Sequence, residues 1–595
     1  MSDYCPPYAD MQFVLEELVG LETLGTLPSL TKISAEDVVA ILNQAGRFSS
    51  EILSPLNQMG DQEGAKLKNG VVSTPAGFQK AYKAYQRAGW GKASANIAFG
   101  GQGLPRLITT VLFEIWNSAN LSFALCNTLT DSAVTLLTKH ATPELQTIWL
   151  PRLVSGDWTG AMAITEPQAG SDVGALNCSA IPDGKVFRIK GQKNYISWGD
   201  HDLTDNIVHL LLARIPDSPH GSNGISLFLV PKFLTNQKGE VGERNEMRCL
   251  SIEKKLGIHA SPTCVMEYGS NKGALGWLIG EKNRGLSAMF TMMNTARLAI
   301  GHQGLGIGER AFQQARNFAN SRVQGRNQKG KLVPIINHPD VRRMLLSMKA
   351  QVEAMRALCY DTALSVDLSE NHQDSKIRAL HNGRVALLTP IIKAWCTDRA
   401  VEIASINIQV HGGAGYIEQT GAAQLYRDAR ITPIYEGTNG IQAIDLIRRR
   451  LISDDGFMMN VLIEEMRQFD GILSTVKGNE LISIRGRLAE SGAALSRATH
   501  QILNAAKINP ENADAGAVPY LCLAGTVLGG YHMARAALIA DTKLSDKKLD
   551  NPKFYEAKIS TALNFSENIL PKTAALEKAA TSGGAVVANT RIDLI

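Results

Sequence analysis

The spacing of hydrophobic residues changes twice along this chain of 595 residues, and those changes limit the fold more than any single motif does. From "GAMAIT" through "VFRIKGQKNYIS", "NIVHLLLARI" and "GISLFLVPKF" to "TCVMEYG", short apolar or alternating runs stand between Gly, Pro and Asp. Runs of that kind are strands, so a β-rich block of about 120 residues is expected. Before it, "AEDVVAILNQAGRFSSEIL" and "GFQKAYKAYQRAGW" keep helical three-and-four spacing. "FGGQGLPRL" interrupts as a loop, and the nearly uncharged "TTVLFEIWNSANLSFALCNTLTDSAVTLL" reads as a helix that is buried or lines an apolar pocket, Trp116–Leu129 above all. After "GEKNRGLSAMF" helical spacing returns, with Val341, Leu345, Met348, Val352, Met355 and Cys359 on one seam, as in an antiparallel bundle.

Further helical segments are expected near 458–476, 479–506, 514–541 and 552–581, and the small, polar end "TSGGAVVANTRIDLI" should fray or wrap a neighbour. The fold class is therefore α+β, mainly α. The domains read as an N-terminal extension (1–34), an N-terminal helical domain (35–158), a middle β domain (159–280), a helical bundle (281–452) and a C-terminal helical domain (453–595).

Bulk properties remove several function classes. A net charge of +5 gives no case for nucleic acid. The 8 cysteines are scattered without a Cys-x-x-Cys pair, which fits free thiols in a reducing compartment and no metal site. "MSDYCPPYADMQF" lacks the basic and apolar regions of a secretory signal, so a cytoplasmic protein is expected. Ala515–Ala534 carries no formal charge but includes Pro519 and His532 and few large apolar residues. With Gly525 and Gly529 four apart, it reads as a tightly packed bundle helix rather than a transmembrane segment.

The candidate chemistry lies in a few short stretches. In "YRDARITPIYEGTNGIQAIDLIRRR", Glu436 sits between Tyr435 and Gly437, ahead of Thr438 and Asn439, either of which can cap the helix of Ile441, Ile444, Ile447 and Leu451. From this stretch alone Glu436 is either an acid decorating a helix start or a base meeting a substrate. "AITEPQAGSDVGAL" follows a strand and offers the Thr165 and Ser171 hydroxyls with backbone N–H groups in a turn, suited to phosphate or a flavin edge, or to a plain surface loop. Tyr195 and Ser197 end an alternating strand two residues apart on one face, where one can stack on a ring while the other bonds its edge; a sheet-core tyrosine is the plain alternative. "QVHGGAGY" is a glycine turn after helical sequence and not a dinucleotide fingerprint. Arg322 and Gln324 suit a pyrophosphate or a solvated charge run.

Taken in order, "ITEPQAGSD", the strand ending "YIS", "QVHGGAGY" and "YRDARITPIYEGTNGIQ" resemble the acyl-CoA dehydrogenases over roughly residues 35–450. "FGGQGLP", "HPDVRRML" and the long C-terminal module resemble a larger subgroup that includes methylmercaptopropionyl-CoA and broad-range long-chain enzymes. The resemblance implies a helical domain, a β-barrel-like middle domain and a four-helix bundle, with FAD as cofactor between the last two. It implies α,β-dehydrogenation of an acyl-CoA with Glu436 as base and an electron-transfer flavoprotein as acceptor.

For the cofactor it points to Ile164, Thr165, Tyr195 and Ser197 at the flavin ring and to Ser171 near the pyrophosphate and pantetheine. Arg322, Gln324, Gln409, Gly412 and Gly413 match contacts from a neighbouring subunit, and Thr438 one near the adenosine. For the substrate it points to Ser171, Arg297, Tyr435 and Gly437. Gly440, where many members have glutamine, and a shorter Arg322 loop depart from the pattern. The subgroup implies a homodimer, with a tetramer as the other option. The competing functions are an acyl-CoA oxidase and a DNA-binding alkylation-response relative. The interspersed Lys, Arg, Asp and Glu of residues 455–595 do not form the basic stripe the latter needs.

Overall fold

The computed structural model describes residues 4–236, 239–546 and 549–595. It divides into two compact units, Ala35–Ala299 and Met1–Ser34 with Ile300–Ile595.

In the first unit, helices α1 (Ala35–Phe48), α2 (Arg106–Ala119), α3 (Leu121–His140) and α4 (Pro143–Ser155) precede the strands. Asn120 and Thr142 cap α3 and α4 through side-chain oxygens that accept from Phe123 N and Leu145 N. All of α2 but Arg106 is buried, Glu114 included, as its otherwise uncharged sequence implies. Trp116, Phe113, Tyr85 and Asn127 wall a narrow cavity of about 30 Å³.

Eight strands follow: β1 (Trp158–Ala163), β2 (Ser179–Asp183), β3 (Val186–Ser197), β4 (Asn206–Arg214), β5 (Ile225–Pro231), β6 (Met247–Ile252), β7 (Thr263–Tyr268) and β8 (Ala274–Ile279). Their order is β6-β7-β3-β8-β5-β4-β1, with β2 beside β3 and β4. All pairings are antiparallel except β1–β4 and β2–β4. The long β3 changes partners midway, pairing with β2 and β8 first and with β7 after Gly191, which gives the barrel-like curl. β4 is apolar almost throughout because both its faces are buried: Val208, Leu210 and Leu212 join a core with Trp149, Leu153 and Met289, while Ile207, Leu211 and Ala213 join one with Ile189 and Phe228.

Helix α5 (Gly285–Ser321) starts in this unit and continues in the next. The second unit adds α6 (Pro339–Asn371), α7 (Ser375–His411), α8 (Ala422–Ala429) and α9 (Asn439–Asp445). The α6 seam is buried from Leu345 to Cys359, with Val341 half-buried. Close packing of α5 on α7 requires glycine at Gly304, where a Cβ would lie 2.7 Å from the Cys396 carbonyl oxygen.

The C-terminal module comprises α10 (Phe457–Leu473), α11 (Asn479–Ile508), α12 (Ala517–Leu544) and α13 (Pro552–Asn568). The glycine pair of α12 does what its spacing implies. A Cβ on Gly525 or Gly529 would meet the Trp395 ring at 2.4 or 2.9 Å, so the uncharged part of this helix packs against α7. No helix among the described residues is long and apolar enough to cross a membrane. The tail does not fray at once: Ala579–Gly583 and Gly584–Asn589 are helical, and Ala580 and Gly584 pack against Gly516. Several arginines of the module face acids, Arg485 on Asp470 at 2.8 Å and Arg497 on Glu577 at 2.7 Å among them. The N-terminal residues pack on the same module, with Phe13 edge-on to Phe554 and Lys543 2.6 Å from Glu17.

Candidate active site

In the first unit, Ile164 and Thr165 leave β1 just where β3 ends. The Thr165 carbonyl accepts from Asn194 N at 2.8 Å, which ties the two segments together. Alternation in β3 breaks there. Lys193 pairs with Met266 and Ile196 with Cys264, so Asn194 and Tyr195 together face one residue of β7, a bulge with Tyr195 at φ +60°. The bulge turns the Tyr195 ring outward, 62% exposed, while Ile196 stays buried and Ser197 and Thr165 are half-buried. Neither the Thr165 nor the Ser197 hydroxyl is engaged by another described residue. Ser171 lies further along the same loop and is exposed.

Two residues that sequence reasoning passed over hold this arrangement. Lys193 and Glu166 form a buried ion pair at 2.7 Å, their side chains 0% and 4% exposed. Lys193 Nζ also donates to the Ile164 carbonyl at 2.9 Å, and Glu166 accepts from Asn177 N (2.6 Å), Cys178 N (3.0 Å) and Gln168 Nε2 (2.7 Å). Burial pushes the Glu166 carboxyl up, but Lys193 and the two backbone N–H groups outweigh it and hold the group below its ordinary range. Beyond β3, the Gly199 carbonyl accepts from His209 Nε2 at 2.7 Å, and His209 Nδ1 takes the Tyr268 hydroxyl at 2.7 Å. Arg297, 4% exposed, sits over the Phe290 ring and donates to Asn294 Oδ1 at 3.3 Å.

In the second unit, Glu436 occupies the left-handed region at φ +56° and Gly437 follows at φ +88°. A non-glycine residue held there stores strain, which the surrounding hydrogen bonds must sustain. Asn439 N donates to the Pro433 carbonyl at 2.9 Å and closes the turn. The Asn439 side chain accepts from the buried Lys393 Nζ at 2.8 Å and donates to the Ala394 carbonyl (3.1 Å), Thr397 Oγ1 (3.0 Å) and Asp398 Oδ1 (2.8 Å). Thr438 is the cap of α9, its hydroxyl accepting from Ile441 N at 3.2 Å. The predicted helix through Leu451 changes character, widening to π-helical turns over Leu446–Leu451. Tyr435 donates its hydroxyl to Gln303 Oε1, and burial, then the Glu436 charge, keeps that phenol protonated.

A third group gathers in the same unit. The Phe318 ring stacks on His411 at 4.2 Å, which holds the end of α5 against the end of α7. Arg322 and Gln324 are exposed on the hairpin of Val323–Arg326 and Leu332–Pro334, Arg322 Nη2 lying 3.4 Å from Gln324 Oε1. Gln409, Gly412 and Gly413 are exposed at the end of α7, with open space where a Cβ of either glycine would stand.

Comparison with known proteins agrees with this layout. "Acyl-CoA dehydrogenase, N-terminal domain" matches residues 36–157, the family's middle domain 161–269 and its C-terminal domain 283–452. "Acetyl-CoA dehydrogenase C-terminal like" matches 462–590. The chain is 43% identical over 586 residues to the 3-methylmercaptopropionyl-CoA dehydrogenase of Ruegeria pomeroyi, covering 98% of each protein. The chain belongs to the acyl-CoA dehydrogenase family. Within it, this acyl-CoA dehydrogenase is also 33% identical to a butyryl-CoA dehydrogenase of Syntrophomonas wolfei, over 96% of this chain and 95% of that one.

Its fold is shared by Caenorhabditis elegans ACDH-11 in complex with C11-CoA, at a TM-score of 0.76 and 22% identity over 95% and 92% of the two chains. The Bacillus anthracis acyl-CoA dehydrogenase complexed with FAD matches at a TM-score of 0.74 and 19% identity, over 98% and 93%. FAD is the family cofactor. The residues of this acyl-CoA dehydrogenase fit it: two unengaged hydroxyls beside an outward aromatic ring suit a flat heterocycle with a polar edge.

Proposed function

We propose that this acyl-CoA dehydrogenase removes the α-proton and β-hydrogen of an acyl-CoA thioester to give the trans-2-enoyl-CoA, with Glu436 as the base. The observation that carries the reading is the Glu436 turn: a half-buried carboxylate in a strained conformation, pinned through Asn439 and followed by a glycine at positive φ. Glu436 takes the α-proton, and an apolar acyl chain closing over it removes water and makes it a stronger base. FAD, when bound, accepts the β-hydrogen as hydride. Thr165 and Ser197 would bond its ring edge, the Ile164 backbone and the Tyr195 ring would border it, and Ser171 would reach the pyrophosphate or the pantetheine. Tyr435, Gly437 and Arg297 would shape the substrate side. Arg322, Gln324, Gln409, Gly412 and Gly413 would meet the cofactor of a second copy in a homodimer, and Thr438 would lie near the adenosine.

The end-to-end identity to the Ruegeria pomeroyi enzyme supports 3-methylmercaptopropionyl-CoA as substrate, and family membership supports an electron-transfer flavoprotein as acceptor. Anaerobic flavin bleaching by 3-methylmercaptopropionyl-, butyryl- and palmitoyl-CoA tests the substrate. The sulfur-containing thioester should react with the highest kcat/KM, and a clear preference for palmitoyl-CoA overturns the assignment. Peroxide release in air at the rate of turnover would instead reveal an oxidase.

A further inference from the structure

A half-open cavity of about 420 Å³ lies in the unit of Met1–Ser34 and Ile300–Ile595, walled by the N-terminal segment, α5, α6 and α13. That volume lies in the range of small-molecule sites. Pro6, Pro7, Tyr8, Phe312, Val352 and Phe554 make its walls largely apolar.

The charged lining forms a nearly closed network. Asp10 pairs with both Arg356 and Lys558. Arg356 also reaches Glu309 at 2.6 Å, Lys558 reaches Glu353 at 3.0 Å, and Lys349 reaches Glu353 at 3.2 Å. Three acids thus answer three bases. Arg316 is the cation left over: it is exposed, lies over the Phe312 ring at 5.6 Å, and has no carboxylate partner among the described residues. Cys5, an exposed thiol, lines the same cavity. Its carbonyl accepts from Gln313 Nε2 at 2.7 Å and its N–H donates to Gln313 Oε1 at 3.3 Å, so its position is fixed relative to α5.

We propose that this cavity binds a small amphipathic carboxylate, a free medium-chain acid, with its carboxylate on Arg316 and its chain along the apolar walls. Charge selects this class. A cationic ligand would meet a surplus positive charge, and a neutral one would gain nothing from the exposed Arg316 guanidinium. The buried network is already neutral, so such an acid enters without breaking an ion pair.

Octanoate is the probe, octanol its uncharged counterpart, and the rate of Cys5 alkylation by N-ethylmaleimide the readout, followed by peptide mass spectrometry on the full-length, FAD-loaded protein. Octanoate at roughly twice its dissociation constant should slow Cys5 alkylation about threefold, and saturably. The half-buried Cys522 reports any general effect and should not respond. Arg316→Ala should lose the protection while keeping its FAD content and its bleaching by acyl-CoA. A Cys5 rate indifferent to octanoate, equal protection by octanol, or protection that survives Arg316→Ala would each overturn the proposal.

Discussion

Replacing Lys193 with methionine removes an ammonium group from the interior while keeping the length of the side chain. The ion pair it breaks is 2.7 Å long, with its two side chains 0% and 4% exposed, so the cost is that of a stranded buried charge and not of a surface pair. Such breaks cost about 3–5 kcal/mol, and three remaining N–H donors to Glu166 place this one near 3 kcal/mol. For a unit of this size that corresponds to a fall of roughly 6–12 °C in its unfolding temperature. Glu166→Gln in the Lys193→Met background neutralises the stranded charge and should recover more than half of the loss.

The pair also fixes the Ile164–Thr165 segment, so the single variant should bind FAD more weakly in a titration of the apoprotein. The Glu166 carboxyl is held below its ordinary 4.5, so its stabilisation is present above that pH and is lost as pH falls beneath it. Without Lys193 the upward push of burial should shrink that acid-side loss or reverse it. Calorimetry of the four proteins of the cycle decides the matter. A single-variant loss below about 1 kcal/mol, the size of an exposed pair, or simple additivity in the cycle refutes the reasoning.

Two further outcomes follow from the same kind of accounting. Asn439→Ala takes one acceptor from Lys393 and frees the turn that carries Glu436. The kcat should drop about tenfold to a hundredfold with KM little changed, and steady-state rates equal to wild type would show that Asn439 does not position the base. Burial lowers His209 and His532 to about 4 and His201 to about 3. Since the unfolded chain takes up protons near 6.5 that the native state refuses, stability should decline as pH falls below about 6.5; equal melting temperatures at about pH 7 and pH 5 would contradict this.

Much of the fold was legible because hydrophobic period reports which side of an element meets the core. The strands of the middle domain and the α6 seam are plain in that signal, and the Gly525–Gly529 spacing marks a close helix contact without naming Trp395 as its partner. Periodicity does not report where alternation fails. Tyr195 faces outward because a bulge precedes Ile196, and a bulge depends on the partner strand, far away in sequence. For the site, hydroxyls and a carboxylate flanked by small residues were visible as candidates. Lys193 was not, since a lysine in an alternating strand reads as solvent-facing until Glu166 is seen to meet it. Asn439 had looked like a possible cap. Thr438 takes that role, and the asparagine instead locks the turn to α7 through Lys393, Thr397 and Asp398, a contact that only tertiary packing creates.

The central claim is that Glu436 is the base, and anaerobic mixing of Glu436→Gln with an acyl-CoA tests it most directly. Glutamine keeps the size and the turn but cannot take the proton. The variant should purify yellow with bound FAD, and its flavin should bleach at least about a hundredfold more slowly than that of the wild type. Bleaching at the wild-type rate by a yellow, folded variant would take the role away from Glu436.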